Sequence, residues 1–296
     1  MEKNDKLMGW IRVLLLIIPY LIVGGVFQIA AHALAGIPFE EEIQKTSLQS
    51  FLVAMATLSA TLLILYLFMR FVDKRPFMEL GLELKKRGPD IILGTAIGLM
   101  VMSIGYFSLI ILDEINFQNL NLKWNEILLS IGVFLAVSLG EEILFRGYIQ
   151  RNLMYSFNNY VALFISSVIF ALAHGFNPNL NWIALTGLFF AGILLGLSYI
   201  YTRNLWFPIA LHFSWNLFQT YFGFNVSGRQ FYSIIEFRIE QENIFNGGKF
   251  GFEASIFSLV FQAILILLIF KYYRKNKSTS IYQHNLYNVI HRKNPV

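Results

Sequence analysis

The sequence predicts an all-α, polytopic membrane helix bundle, and three observations carry that prediction. Of its 296 residues, 56% are hydrophobic and 14% are charged, with a mean hydropathy of +0.57; soluble domains carry about 25% charged residues. The apolar residues fall into separate runs near the roughly 20 residues that a helix needs to cross a hydrocarbon core. The short alternating segments of a transmembrane β-barrel do not appear.

Eight spans follow in order. The first, Trp10 to Ala35, is too long for a cleavable signal peptide, and no small-residue cleavage site follows it. After the second, Phe51 to Val72, comes "KRPFMELGLELKKRG", Lys74 to Gly88. It mixes Phe77, Met78, Leu80, Leu82 and Leu84 with basic residues and reads as an interfacial helix or turn. The third and fourth spans are Ile91 to Leu112 and Ile127 to Tyr148. The fifth, Val161 to His174, is short and should begin earlier. In the sixth, Trp182 to Tyr201, Gly187, Ala191, Gly192 and Gly196 permit close helix approach. The seventh is Leu205 to Phe222 and the eighth Ile256 to Tyr272. The Phe- and Asn-rich connection from Gly223 to Glu253 is either a cap over a cavity or a disorderly loop. Residues 1–275 thus form one membrane domain, and 276–296 a polar, flexible cytoplasmic tail whose His284 and His291 are poor site candidates.

Lys and Arg accumulate on the cytoplasmic side of membrane proteins. Lys3, Lys6 and Arg12, then Arg70, Lys74, Arg75, Lys85, Lys86 and Arg87, mark that side. Arg146, Arg151, Arg203, Lys271, Arg274, Lys275 and Lys277 fall with them. Glu40, Glu41, Glu42, Asp113 and Glu114 mark the other side, so both termini are expected in the cytoplasm. The net charge of +5 is a topology signal rather than a nucleic-acid footprint. The expected partners are the lipid bilayer and a membrane-bound peptide or protein; the oligomeric state is open. With no cysteine, disulfides, thiolate metal sites and a cysteine nucleophile are excluded. The Lys, Asn and Ile content reads as an AT-rich bacterial source, hence a bacterial cytoplasmic membrane.

Ionisable groups inside a span cost about 2.5–3.5 kcal/mol on insertion scales and usually face a cavity or a partner. Those that stand out are Glu141, Glu142 and Arg146 in "LGEEILFRGYIQ", His174, and His212 with Asn216. Glu142 and Arg146, four apart, share a helix face and can pair. Their bland alternative is a charge cluster at the membrane edge with Arg146 snorkelling outward. Glu141 points about 100° away and needs another partner. The midpoint between Glu141 and His174 falls at "SFNN", Ser156 to Asn159. A hairpin there would bring the two residues to the same height, about 23 Å from the turn at 1.5 Å per residue. His212 lies nearer its own cytoplasmic end. The heights agree only if the hairpin overhangs the membrane, so span four should stay helical to about Tyr155. His212 and Asn216 face one way; His32 lacks such company.

A carboxylate, two imidazoles and an amide can activate water in two ways. In one, Glu141 is the general base with His174 orienting water or shuttling a proton, while His212 and Asn216 bind the oxyanion. In the other, Glu141, His174 and His212 ligate a divalent metal, zinc foremost, leaving a fourth position for water. No "HExxH" helix is present, so the cofactor is either none or that metal.

"EEILFRG" (Glu141 to Gly147), "FALAH" (Phe170 to His174) and "HFSWN" (His212 to Asn216) resemble the three motifs of the CPBP intramembrane proteases. That family includes type II CAAX prenyl endopeptidases and the Abi, bacteriocin-immunity and lysostaphin-resistance proteins. The resemblance covers about residues 126–222. It implies an intramembrane endopeptidase with Glu141 and His174 as base, His212 and Asn216 at the oxyanion or as partial ligands, and Glu142 and Arg146 in support. The implied substrate is a CAAX-type or bacteriocin-precursor-like membrane peptide. A non-catalytic immunity protein, scaffold or transporter is the alternative from another class; a coupled transporter would show inverted repeats and broken spans, which this sequence lacks.

Overall fold

The computed structural model describes residues 3–38 and 44–292, with side chains over 8–38 and 44–275. Among these, eight long helices dominate: α1 (Lys3–Ala35), α2 (Ser47–Asp73), α3 (Gly88–Ile111), α4 (Trp124–Ser156), α5 (Asn159–Ala173), α6 (Trp182–Thr202), α7 (Trp206–Tyr221) and α8 (Ile256–Arg292). Each expected span coincides with one of them, and the protein is an all-α integral membrane bundle. Six helices are long and apolar enough to cross a bilayer. Helices α5 and α7, of 15 and 16 residues, rise only about 22–24 Å against a core of about 30 Å. Glu40, Glu41 and Glu42 lie outside the described residues, as do the side chains of Lys3, Lys6, Lys277, His284 and His291. The backbone of α8 continues past Lys275 to Arg292.

The overhang of α4 is present. Its helix runs to Ser156 before the chain turns at Phe157, and Asn158 caps α5 by accepting from the N–H groups of Tyr160 and Val161. Within α4, Ile143–Gln150 is wound as π-helix, immediately after the paired glutamates. Such i→i+5 segments recur at functional sites.

Small residues set the close packing. A Cβ on Gly94 of α3 would come within 2.8 Å of the Leu211 nitrogen of α7, and Gly98 lies directly under Ser214. In α6, a Cβ on Gly192 would stand 2.8 Å from Ser167 of α5. The glycine series of α6 therefore does what its spacing predicts.

Arg12, Arg75, Arg151 and Arg203 gather at one end of the bundle, its basic end, where Arg12, Asp73, Tyr148 and Arg151 tie α1, α2 and α4 together. Asp73 meets Arg12 at 3.4 Å and Arg151 at 3.9 Å, and accepts the Tyr148 hydroxyl at 2.8 Å. The basic connection before α3 forms a short 3-10 turn, Phe77–Leu80, rather than a long interfacial helix. It is bound to the α6–α7 link: Tyr199 donates to the Leu80 carbonyl, Trp206 to that of Leu82, and Asn204 to that of Glu83.

At the opposite end a two-stranded antiparallel sheet joins β1 (Asn116–Leu120) to β2 (Ile235–Arg238). No strand was expected in either connection. The long segment after α7 is not a disorderly loop: it folds back over the bundle. Gly228, at φ +79°, passes so close to the Pro178 carbonyl that no side chain would fit there.

Candidate active site

Helix α4 presents Glu141 and Glu142 in different directions because successive helical residues are about 100° apart. Glu142 points into the bundle and is fully buried. Its Oε1 accepts from Arg146 Nη1 at 2.9 Å and from His212 Nδ1 at 2.8 Å. Arg146 does not snorkel. It is 1% exposed, donates to the Gly192 carbonyl at 3.4 Å and lies 4.4 Å from the centre of the Phe170 ring. A carboxylate, a carbonyl and a ring face compensate the buried guanidinium, so of the two alternatives the inward pairing holds and the membrane-edge cluster does not. The pairing with Glu142 is as the four-residue spacing predicts.

Glu141 faces a cavity of about 440 Å³ between α4, α5, α6 and α7. Its Oε2 is buried and accepts no hydrogen bond. It lies 3.8 Å from His174 Nε2 and 4.0 Å from His212 Nε2, so the hairpin argument did place Glu141 and His174 together. These gaps are too long for direct hydrogen bonds.

Both imidazoles are held by their other nitrogen. His174 Nδ1 lies 2.8 Å from the Phe170 carbonyl, which can only accept, so Nδ1 carries the hydrogen. His212 Nδ1 faces the Glu142 carboxylate in the same way. In the neutral rings each Nε2 therefore turns a lone pair toward Glu141; in an imidazolium it would be a donor. Phe170 supports both, with ring centres 4.7 Å from His174 and 6.4 Å from His212. One turn beyond His212, Asn216 is buried, lines the cavity and makes no side-chain hydrogen bond among the described residues.

The cavity wall away from these groups is apolar, with Phe134, Phe145, Leu188, Leu194 and Leu195. A second cavity of about 690 Å³ between α1, α2 and α4 shares Glu141, Tyr20, Thr57 and Arg229 with the first. The capping segment after α7 contributes Val226, Ser227, Arg229, Phe231 and Glu253. Tyr20, Arg229 and Glu253 carry no motif and escaped the sequence reading. The bond from Glu142 to His212 also escaped it, because 70 residues separate the partners.

Zinc fits this donor set poorly. Its nitrogen and oxygen ligands sit about 2.0–2.2 Å from the ion, which places ligand atoms about 3.3 Å apart in a tetrahedron. The separations at Glu141 are wider. Among the described residues, no three His, Cys, Asp or Glu side chains are gathered so as to hold a metal.

Residues 123–218 match the family described as type II CAAX prenyl endopeptidase Rce1-like. The match covers about a third of the chain, from the start of α4 into α7. The matched stretch contains all three motifs and both ends of the Glu141 to His212 cluster, and the family it resembles is one of endopeptidases. No curated protein matches the chain.

Proposed function

We propose that this protein hydrolyses a peptide bond in a membrane-associated substrate, using a water activated by Glu141 and His174 without a metal. The observation that carries the reading is the unbonded, buried Glu141 Oε2 set between two oriented imidazole nitrogens. A single water can donate to Glu141 and to His174 Nε2 and accept from Nε2–H of a protonated His212 across gaps of this size.

The chemistry follows from the hydrogen positions. Glu141 removes a proton from the water while the His174 lone pair orients it, and the water oxygen attacks the carbonyl carbon. Charge develops on the carbonyl oxygen. Asn216 donates to it, as does Nε2–H of a protonated His212 whose positive charge the Glu142 carboxylate stabilises. The proton held by Glu141 then passes to the leaving nitrogen as the C–N bond breaks, giving a carboxylic acid and an amine, between which the acid's proton then passes. In a cavity walled by Phe and Leu the donors act in low dielectric, where each is worth more than in water.

The apolar wall beside the acid favours a substrate with a lipid group or a strongly apolar stretch next to the scissile bond, as a CAAX-type or bacteriocin-precursor-like peptide would have. The basic end of the bundle would face the cytoplasm, in a bacterial cytoplasmic membrane.

The test is cleavage of a panel of membrane-anchored fluorogenic peptides by the purified protein in liposomes, with a strong chelator and then with added zinc. Cleavage indifferent to both supports the metal-free reading. Loss on chelation with rescue by zinc overturns it in favour of a metalloprotease.

A further inference from the structure

The catalytic scheme leaves one buried acid of the cavity unused. Glu253 comes from the capping segment, 35 residues beyond the family match, and lines the same cavity as Glu141, His174, His212 and Asn216. It is 9% exposed. Its Oε2 is fixed by the Ser227 N–H at 2.9 Å and the Ser227 hydroxyl at 3.1 Å. Its Oε1 makes no hydrogen bond among the described residues. Its backbone carbonyl is pressed onto α6 where Gly187 has no side chain. The carboxyl group is therefore held in place on one oxygen and one carbonyl while its second oxygen is uncommitted.

No Lys or Arg among the described residues pairs with it, although Arg229 lines the same cavity. Burial pushes the Glu253 carboxyl above the usual carboxylate range, against the pull of the Ser227 bonds and of the His174 and His212 rings. A buried carboxylate without a cation is costly, and a charged partner delivered to it is correspondingly favoured. The catalytic groups cannot supply that partner. Arg146 is already paired with Glu142, and His212 Nδ1 is committed to Glu142.

We propose that Glu253 is a specificity residue that takes a protonated amine or guanidinium of the substrate, close to the scissile bond. The assignment rests on the endopeptidase reading only for what the ligand is; the binding step stands apart from catalysis. The segment that caps the cavity would thus read a basic side chain, while the apolar wall takes the flanking apolar stretch. Glu253 is held through Ser227, so the same contact ties recognition to the closure of the cap.

The experiment uses pairs of membrane-anchored peptides identical except for lysine or glutamine at one position, scanned through three positions on each side of the scissile bond. Binding is measured in nanodiscs with the full-length Glu141→Gln protein, which should not turn substrate over, and with Glu141→Gln/Glu253→Gln. The expected result is a preference of about tenfold or more for lysine at one position, the scale of a hydrogen bond to a charged group. The preference should vanish in the double variant, with the glutamine peptide bound equally by both. Ser227→Ala, which keeps the carboxylate and its backbone N–H bond but removes the hydroxyl bond, should weaken the preference. A lysine preference that survives Glu253→Gln, no preference at any position, or no binding of either peptide would overturn the proposal. Wild-type protein that binds the lysine peptide selectively but never cleaves it would reject the endopeptidase reading and leave this one standing.

Discussion

Two clusters of buried charge lie in the same bundle and differ in what they leave unpaired. At the basic end, both oxygens of Asp73 are engaged, one by Arg12 and Arg151 and the other by the Tyr148 hydroxyl. In the middle of the bundle, Glu141 Oε2, Glu142 Oε2 and Arg146 Nε are buried without a partner. The first arrangement pins three helices, and its groups answer one another. The second contains an acid, Glu141, whose neighbours are oriented by other residues and stop short of it. Leaving a buried polar atom unbonded costs about 1–3 kcal/mol, and Glu141, the one of these three residues that lines the cavity, can recover that cost from an incoming group.

Substitutions should separate the two clusters, and the largest effect is expected at His174. On the proposed mechanism His174 orients the water, so His174→Ala should lower the rate of peptide cleavage by about 10²–10⁴, the usual contribution of acid–base catalysis. The melting temperature should hardly move, since His174 makes one local bond; a large loss of stability would make it a structural residue. Next comes Arg146→Met, which strands Glu142 in the core. Removing one partner of a buried pair costs about 3–5 kcal/mol, so thermal unfolding in detergent should fall steeply and activity with it. Unchanged stability would mean that the pair is not buried in the membrane.

Asn216→Ala should lower the rate by about 10²–10³, as the loss of one oxyanion donor does. Stability should be preserved because Asn216 makes no bond to lose. A smaller effect is expected of Gly192→Ala, where the new methyl meets Ser167. Overpacking of this kind costs about 1–3 kcal/mol and should appear as a lower unfolding temperature. Truncation after Lys277 should leave cleavage intact, and its loss in a protein that still reaches the membrane would give the tail a role.

Much of this was legible in the sequence, for physical reasons that differ from residue to residue. The spans announce themselves because hydrocarbon tolerates little but apolar helix. The meeting of Glu141 with His174 followed from counting residues to a turn, because helical rise is constant. The pairing of Glu142 with Arg146 followed from helical phase. Whether Arg146 turns inward or snorkels stayed open, because pattern alone cannot separate a cation that reaches outward from one held under a ring; Phe170 and the Gly192 carbonyl come from other helices. The small β-sheet escaped notice because its strands, five and four residues long, lie in loops more than 100 residues apart. The π-helical winding after Glu142 leaves no periodic trace. Glu253 closes the Phe- and Asn-rich connection, and nothing in its spacing marks it as a cavity residue; the folding of the cap puts it there.

The most direct test pairs the two clusters. Glu141→Gln and Asp73→Asn each neutralise one carboxylate, and both proteins would be assayed for peptide cleavage and for thermal unfolding in the same membrane mimic. Glu141→Gln is expected to abolish cleavage at an unchanged unfolding temperature, and Asp73→Asn to lower the unfolding temperature while the folded protein still cleaves. Cleavage that survives Glu141→Gln in a folded protein would contradict the assignment of Glu141 as the base.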